Sequence, residues 1–74
     1  MKTEYEFQYG CACCGNWERV TAISTKLLFY DVLKENGINV VPWEYSKTLP
    51  TFVEIDSDNL PTGRVYQLIK RRYL

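Results

Sequence analysis

Residues 5–15, with the sequence YEFQYGCACCG, decide how the rest of this chain is interpreted. The first half of the stretch alternates aromatic with polar residues, and this period of two is typical of a strand with one buried face. Gly10 ends the alternation and leads into three cysteines within four positions, Cys11, Cys13 and Cys14. The sequence therefore predicts a strand that carries a cluster of thiols at its carboxyl end.

The segment that follows the cysteines permits two interpretations. Apolar residues recur at helical spacing between positions 17 and 33, and Gly37 supplies a common stop signal, so a helix over 16–36 is the first prediction. The β-branched residues Val20, Thr21 and Ile23 support an alternative, in which 17–23 form a second strand and a helix begins after Ser24.

The second half of the chain contains short apolar runs separated by turn residues. Segments 38–41 and 51–55 predict strands, and the spacing of apolar residues over 65–73 predicts a final amphipathic helix. A strand, a helix and a strand in sequence favour a parallel pair with a right-handed crossover. With 74 residues, the chain is expected to form a single α/β domain over 1–74.

The charge balance gives no sign of a protein that binds a strongly charged partner. Nine basic and nine acidic residues cancel, so nucleic acid is an unexpected partner. No segment is apolar enough over a sufficient length to cross a bilayer, and the first residues do not resemble a signal peptide. We therefore expect a cytoplasmic protein without membrane contact, in a compartment that keeps thiols reduced unless they have a catalytic or sensing role.

The spacing of Cys11 and Cys14 is that of the C-x-x-C redox motif. A thiolate at a strand-to-helix junction is stabilised by unpaired backbone N–H groups, so Cys11 is the predicted attacking thiol and Cys14 the predicted resolving thiol. The nearest cation in sequence is Arg19, which leaves the helix terminus as the main expected activator. Cys13 has no predicted role.

Two other interpretations of the cysteines stay open at this point. Cysteines are often small buried apolar residues without chemistry. A zinc knuckle is the other alternative, but a closed zinc site needs four ligands, and the chain has three cysteines and no histidine. No metal ion is therefore predicted.

The order of Tyr9-Gly10-Cys11-Ala12-Cys13-Cys14, a helix, a strand, Thr48-Leu49-Pro50, another strand and Gly63 resembles the glutaredoxin/thioredoxin superfamily. The resemblance implies a thioredoxin-like (glutaredoxin-like) small sheet with flanking helices, in which the second helix is reduced or absent. It also implies a disulfide reductase with a redox-active centre, in which Cys11 and Cys14 are catalytic. The residues implied to bind substrate are Thr48, Leu49, Pro50 and Gly63.

The same resemblance implies the partners. A protein disulfide would be the substrate, and glutathione or a reductase would return the electrons, with no bound cofactor. Pro50 corresponds to the cis-proline that faces the cysteines in that superfamily.

Two further function classes remain as alternatives. Residues 61–72 are similar to the recognition helix of excisionase-type helix-turn-helix proteins, which predicts a DNA-binding module that uses a basic C-terminal helix. The short length and the aromatic content of 15% also suit a small non-enzymatic interaction protein, for example a phage-encoded inhibitor.

Overall fold

Strand β1 (Thr3–Cys11) is an inner strand of the sheet, as its alternating aromatic residues predict. The computed structural model describes residues 1–11, 13, 15–43 and 49–74. Within these residues one five-stranded sheet forms with the spatial order β2-β1-β5-β4-β3, and every neighbouring pair is antiparallel. The remaining elements are β2 (Trp17–Ser24), α1 (Phe29–Glu35), β3 (Val40–Pro42), β4 (Thr51–Ile55) and β5 (Pro61–Tyr73).

The predicted α/β thioredoxin-like fold with flanking helices is wrong. The described residues contain one helix of seven residues, and the described strands include no parallel pair. The helix predicted over 16–36 is replaced by β2 and the later α1, so the alternative strand over 17–23 is confirmed. Its β-branched residues suit a strand, and β1 offers it an antiparallel partner directly across the hairpin.

The final helix predicted over 65–73 is also wrong, because this segment belongs to the thirteen-residue strand β5. The register between β1 and β5 shifts at one point: Phe7 lies opposite Leu68, but Glu6 lies opposite Lys70. Ile69 is the extra residue of this bulge, and it moves every later side chain of β5 to the other face. The bulge interrupts the alternation that would otherwise identify a strand.

Helix α1 packs on one face of the sheet and closes the hydrophobic core. The ring centroid of Phe29 lies 5.0 Å from that of Phe7 and 5.7 Å from that of Phe52. Burial of each large side chain of this core contributes roughly 1.5–3 kcal/mol to stability. The buried members of the cluster are Tyr5, Phe7, Phe29, Val32, Leu33, Val40, Tyr66 and Leu68.

The length of α1 decides how much of the sheet is covered. The helix ends at Glu35, and Gly37 follows with a φ of +79°, so the predicted stop signal is confirmed. The seven residues of α1 contact the aromatic rings near the start of β1 but do not extend to its carboxyl end. Neither α1 nor any other part of the described chain forms a helix long and apolar enough to cross a membrane.

Candidate functional site

An open cleft of about 800 Å³ lies at the carboxyl end of β1. Its lining comes from residues 9–11 of β1, residues 15–18 at the start of β2 and residues 62–64 of β5. Cys11 is the last residue of β1 and is half-buried in this lining, whereas Cys13 is exposed. The cleft therefore gives a dissolved reactant access to the Cys11 thiol, and Cys13 is accessible because its residue is exposed.

The sulfur atoms of Cys11 and Cys13 form a close contact. Their Sγ atoms lie 2.7 Å apart, and either sulfur can donate the hydrogen. The S–S bond of a disulfide is about 2.05 Å long, so a small side-chain movement brings these two atoms to bonding distance. The predicted partner of Cys11 was Cys14, which lies outside the described residues, and the Cys11–Cys14 pair stays a prediction.

Two glycines shape the backbone around the thiols. The N–H of Gly15 donates to the carbonyl oxygen of Cys11 at 3.4 Å, and Gly15 has a φ of +70°, which L-residues other than glycine adopt at a cost. At Gly10 a Cβ atom would collide with the backbone carbonyl oxygen of Asn16. Gly10 therefore permits the close approach of the two strands that form one wall of the cleft.

Arg64 is the charged neighbour of Cys11. The two residues are direct partners in the ladder between β1 and β5, although 53 positions separate them in sequence. The Arg64 guanidinium lies 5.5 Å from the centroid of the Tyr9 ring, so it occupies the same face of the sheet as Tyr9. Because side chains alternate along a strand, Cys11 lies on that face as well. The sequence alone did not identify this cation, because only the strand register makes Arg64 the ladder partner of Cys11.

Tyr9 lines the cleft, and Tyr66 belongs to the hydrophobic core against which Tyr9 packs. The rings of Tyr9 and Tyr66 stack with centroids 5.8 Å apart. The Tyr9 hydroxyl donates to Oε2 of Glu18 at 2.7 Å, and this hydrogen bond raises the pKa of Tyr9. Burial raises the pKa of Tyr66, and a hydrogen bond to Tyr66 raises the pKa of Arg64. At neutral pH both phenols are therefore uncharged, and Arg64 keeps its positive charge.

The residues predicted to bind substrate do not all lie at the cleft. Gly63 lines it together with Cys11. Pro50 lies elsewhere, because its carbonyl oxygen accepts a hydrogen bond at 3.0 Å from the N–H of Leu68, four residues further along β5 than Arg64. Its neighbour Leu49 is equally remote from the cleft lining, and Thr48 lies outside the described residues.

Of the two possibilities that the sequence leaves open for Pro50, the structure has the trans bond. All peptide bonds among the described residues, including the bond between Leu49 and Pro50, are trans. The antiparallel pairing of β4 with β5 places Pro50 beside Leu68, in the middle of the sheet. A loop in that position cannot face the carboxyl end of β1.

The basic residues of the C-terminal segment are dispersed over the two faces of β5. Arg72 pairs with Glu4 at 3.1 Å, and Arg71 lies 5.7 Å from the centroid of the Tyr5 ring. Without a helix in this segment, the proposed recognition element for DNA does not form. Among the described residues, no group of three or more His, Cys, Asp or Glu side chains could hold a metal ion.

No protein-family model matches the chain, and no curated protein or solved structure matches it. The thiol chemistry implied by the resemblance to the glutaredoxin/thioredoxin superfamily therefore stays a prediction. The fold implied by the same resemblance is wrong.

Proposed function

We propose that this protein carries out thiol–disulfide exchange, with Cys11 and Cys13 as a redox-active dithiol. The observation that carries the proposal is the 2.7 Å separation of the two sulfur atoms beside an open cleft that Cys11 lines. The S–S bond of a disulfide is about 2.05 Å long, so only a short approach of the two sulfur atoms is needed to close an intramolecular disulfide. The resemblance to small redoxins concerns the C-x-x-C spacing of Cys11 and Cys14, so the pairing with Cys13 rests on the sulfur–sulfur distance.

The reaction balances as two successive exchanges. The Cys11 thiolate attacks one sulfur of a substrate disulfide, which forms a mixed disulfide and releases the first substrate thiolate. The Cys13 thiolate then attacks the Cys11 sulfur, which releases the second substrate thiolate and leaves a Cys11–Cys13 disulfide. Glutathione or a protein reductase supplies the two electrons and two protons that restore the dithiol.

The assignment of Cys11 as the attacking thiol follows from its neighbours. A nearby cation favours the thiolate over the thiol, and Arg64 is the direct ladder partner of Cys11. Cys13 is more exposed, and its sulfur lies 2.7 Å from that of Cys11, within reach of a mixed disulfide formed on Cys11. A dithiol of this kind works in a reducing compartment, which supports a cytoplasmic location.

The test is the rate at which the protein reduces a disulfide-bonded substrate such as insulin in the presence of glutathione. We expect Cys11→Ser to lower this rate at least a hundredfold, because no other described thiol has Arg64 as its ladder partner. We expect Cys13→Ser to accumulate a mixed disulfide on Cys11 that mass spectrometry detects. Unfolding temperatures of the variants should match that of the wild type.

Cys14→Ser is the matched control, since it removes a thiol from the same cluster. We expect this variant to retain most of the wild-type rate. If Cys14→Ser traps the mixed disulfide instead, Cys14 is the resolving residue and the role assigned to Cys13 is wrong. If Cys11→Ser reduces insulin at the wild-type rate, the redox proposal fails, and the alternative of a non-enzymatic interaction protein takes its place.

A further inference from the structure

Strand β2 forms one edge of the described sheet and pairs with β1 on one side only. It has eight residues, contains no proline, and is rich in β-branched side chains. An edge strand of this type offers a row of backbone N–H and C=O groups to another strand. Two large apolar side chains on it remain partly exposed, Trp17 at 37% and Ile23 at 57%.

The opposite edge of the sheet has a different character. Strand β3 has three residues and ends at Pro42, which cannot donate a backbone hydrogen bond. Short edge strands and prolines are devices that prevent edge-to-edge pairing. Of the two outermost described strands, β2 and β3, β2 therefore presents the edge that is open to strand addition.

We infer that β2 pairs antiparallel with β2 of a second copy of this chain. The two sheets then form one sheet of ten strands, and the two-fold axis lies between the two Val20 residues. Such an interface is isologous, so the contact of residue i with residue j is repeated as j with i. Directly opposed side chains of an antiparallel pair lie on the same face of the sheet, so odd-numbered residues of β2 pair with odd-numbered ones and even-numbered with even-numbered. The two-fold axis must therefore lie between the two copies of one residue.

The register centred on Val20 suits the side chains of β2. It places Trp17 of one copy opposite Ile23 of the other, and aromatic residues paired with β-branched residues stabilise antiparallel strands. Arg19 then lies opposite Thr21, and Glu18 lies opposite Ala22. Centring on Arg19 instead would place two guanidinium groups opposite each other, which is unfavourable.

The charge of the whole chain permits this association. The formal net charge is zero, so no overall repulsion opposes the approach of two copies. Arg19 has Glu6 of its own chain as a partner at 3.4 Å, which neutralises the basic residue nearest the proposed axis. The two clefts lie at opposite ends of the paired strands, and each cleft shares Trp17 and Glu18 with the proposed interface.

Sedimentation equilibrium of the full chain in reducing buffer, at concentrations up to about 1 mM, tests the inference. The wild type should show a monomer–dimer equilibrium. Thr21→Arg should weaken dimerisation at least tenfold, because it creates two Arg–Arg pairs per dimer in this register. Within one chain the same substitution places an arginine opposite Glu6, so the stability of the monomer should be maintained or increased.

Ser57→Arg is the matched control, because it adds the same charge at an exposed turn remote from β2. It should leave the dimerisation constant unchanged. The inference is overturned if the wild type is monomeric over the whole concentration range. It is equally overturned if Thr21→Arg dimerises as strongly as Ser57→Arg, or if larger assemblies form without a dimer.

Discussion

The two halves of β1 have the same alternating pattern but very different environments. At the amino end, Tyr5 is fully buried beneath α1, and its ring centroid lies 6.0 Å from that of Phe29. At the carboxyl end, Tyr9 and Cys11 lie on the same face but beyond the helix, at the open cleft. The difference arises from the seven-residue length of α1, which is too short to cover both halves.

One half of β1 contributes mainly to stability, and the other half carries the reactive thiol. The covered half buries large side chains and supplies most of the hydrophobic stabilisation. The uncovered half carries a thiol whose ladder partner is a cation, and both residues line the open cleft. Substitutions in the two regions should therefore have effects of different kinds, and four experiments test this separation.

The largest expected effect comes from helix α1, which covers the amino half of β1. Leu33→Ala removes a side chain that is 1% exposed, and we expect a loss of about 2–5 kcal/mol in the free energy of unfolding. Leu27→Ala is the matched control, since Leu27 is 66% exposed, and it should change stability by less than about 0.5 kcal/mol. Urea titration followed by circular dichroism measures both. Equal losses in the two variants would contradict the position of the core.

A substitution at Gly10 should affect both halves. The Cβ atom of Gly10→Ala would collide with the carbonyl oxygen of Asn16, and we expect a cost of about 1–3 kcal/mol as the two strands separate. The alkylation rates of Cys11 and Cys13 should change as well, because this backbone contact forms one wall of the cleft. An unchanged unfolding temperature together with unchanged alkylation rates would show that the strands do not approach each other so closely.

A smaller effect is expected from the charge beside Cys11. Arg64→Leu should slow the alkylation of Cys11 by iodoacetamide at pH 7 about threefold to fivefold, since a cation favours the reactive thiolate. Added salt should reduce the wild-type rate toward that of the variant. Arg19→Leu is the control, because Arg19 pairs with Glu6 and lies outside the cleft lining. Equal slowing in both variants would remove the specific role of Arg64.

The smallest effect concerns pH. Burial raises the pKa of Tyr66 above its ordinary value of 10.0, so on a rise in pH the unfolded chain loses this proton before the folded chain does. The resulting stabilisation is complete below pH 10 and is lost as the pH rises through the folded-state pKa. Tyr66→Phe should flatten the fall in the urea midpoint as the pH rises from about 9 to about 11. A fall of the same steepness in Tyr66→Phe would contradict this assignment.

The local pattern of side chains predicted the strands that alternate regularly. Strand β1 and the strand over 51–55 were predicted correctly because each alternates or is bounded by clear turn residues. In β5 the residues on the covered face are Tyr66, Leu68 and, after the bulge at Ile69, Arg71. This spacing of two and then three positions is also compatible with a helix. Only the pairing with β1 and β4 shows that the segment is a strand.

The candidate site was predicted in part, for the same physical reason. The cysteine cluster is local in sequence, and its position at the end of a strand was predicted from Gly10 and the preceding alternation. Arg64 could not be found in this way, because 53 residues separate it from Cys11 and the register of β1 with β5 brings them together. Pro50 was assigned through the resemblance of Thr48-Leu49-Pro50 to a loop of the thioredoxin-like fold, which this chain does not form.

The most direct test of the account is a redox titration of the thiols in glutathione buffers, quenched by alkylation and measured by mass spectrometry. The account predicts that the wild type and Cys14→Ser lose two alkylation sites together in one two-electron transition at the same potential, whereas Cys13→Ser loses this transition. If Cys13→Ser keeps the transition and Cys14→Ser loses it, the resolving thiol is Cys14. If the wild type keeps all three alkylation sites across the range, the cluster is not a redox couple and the central claim is wrong.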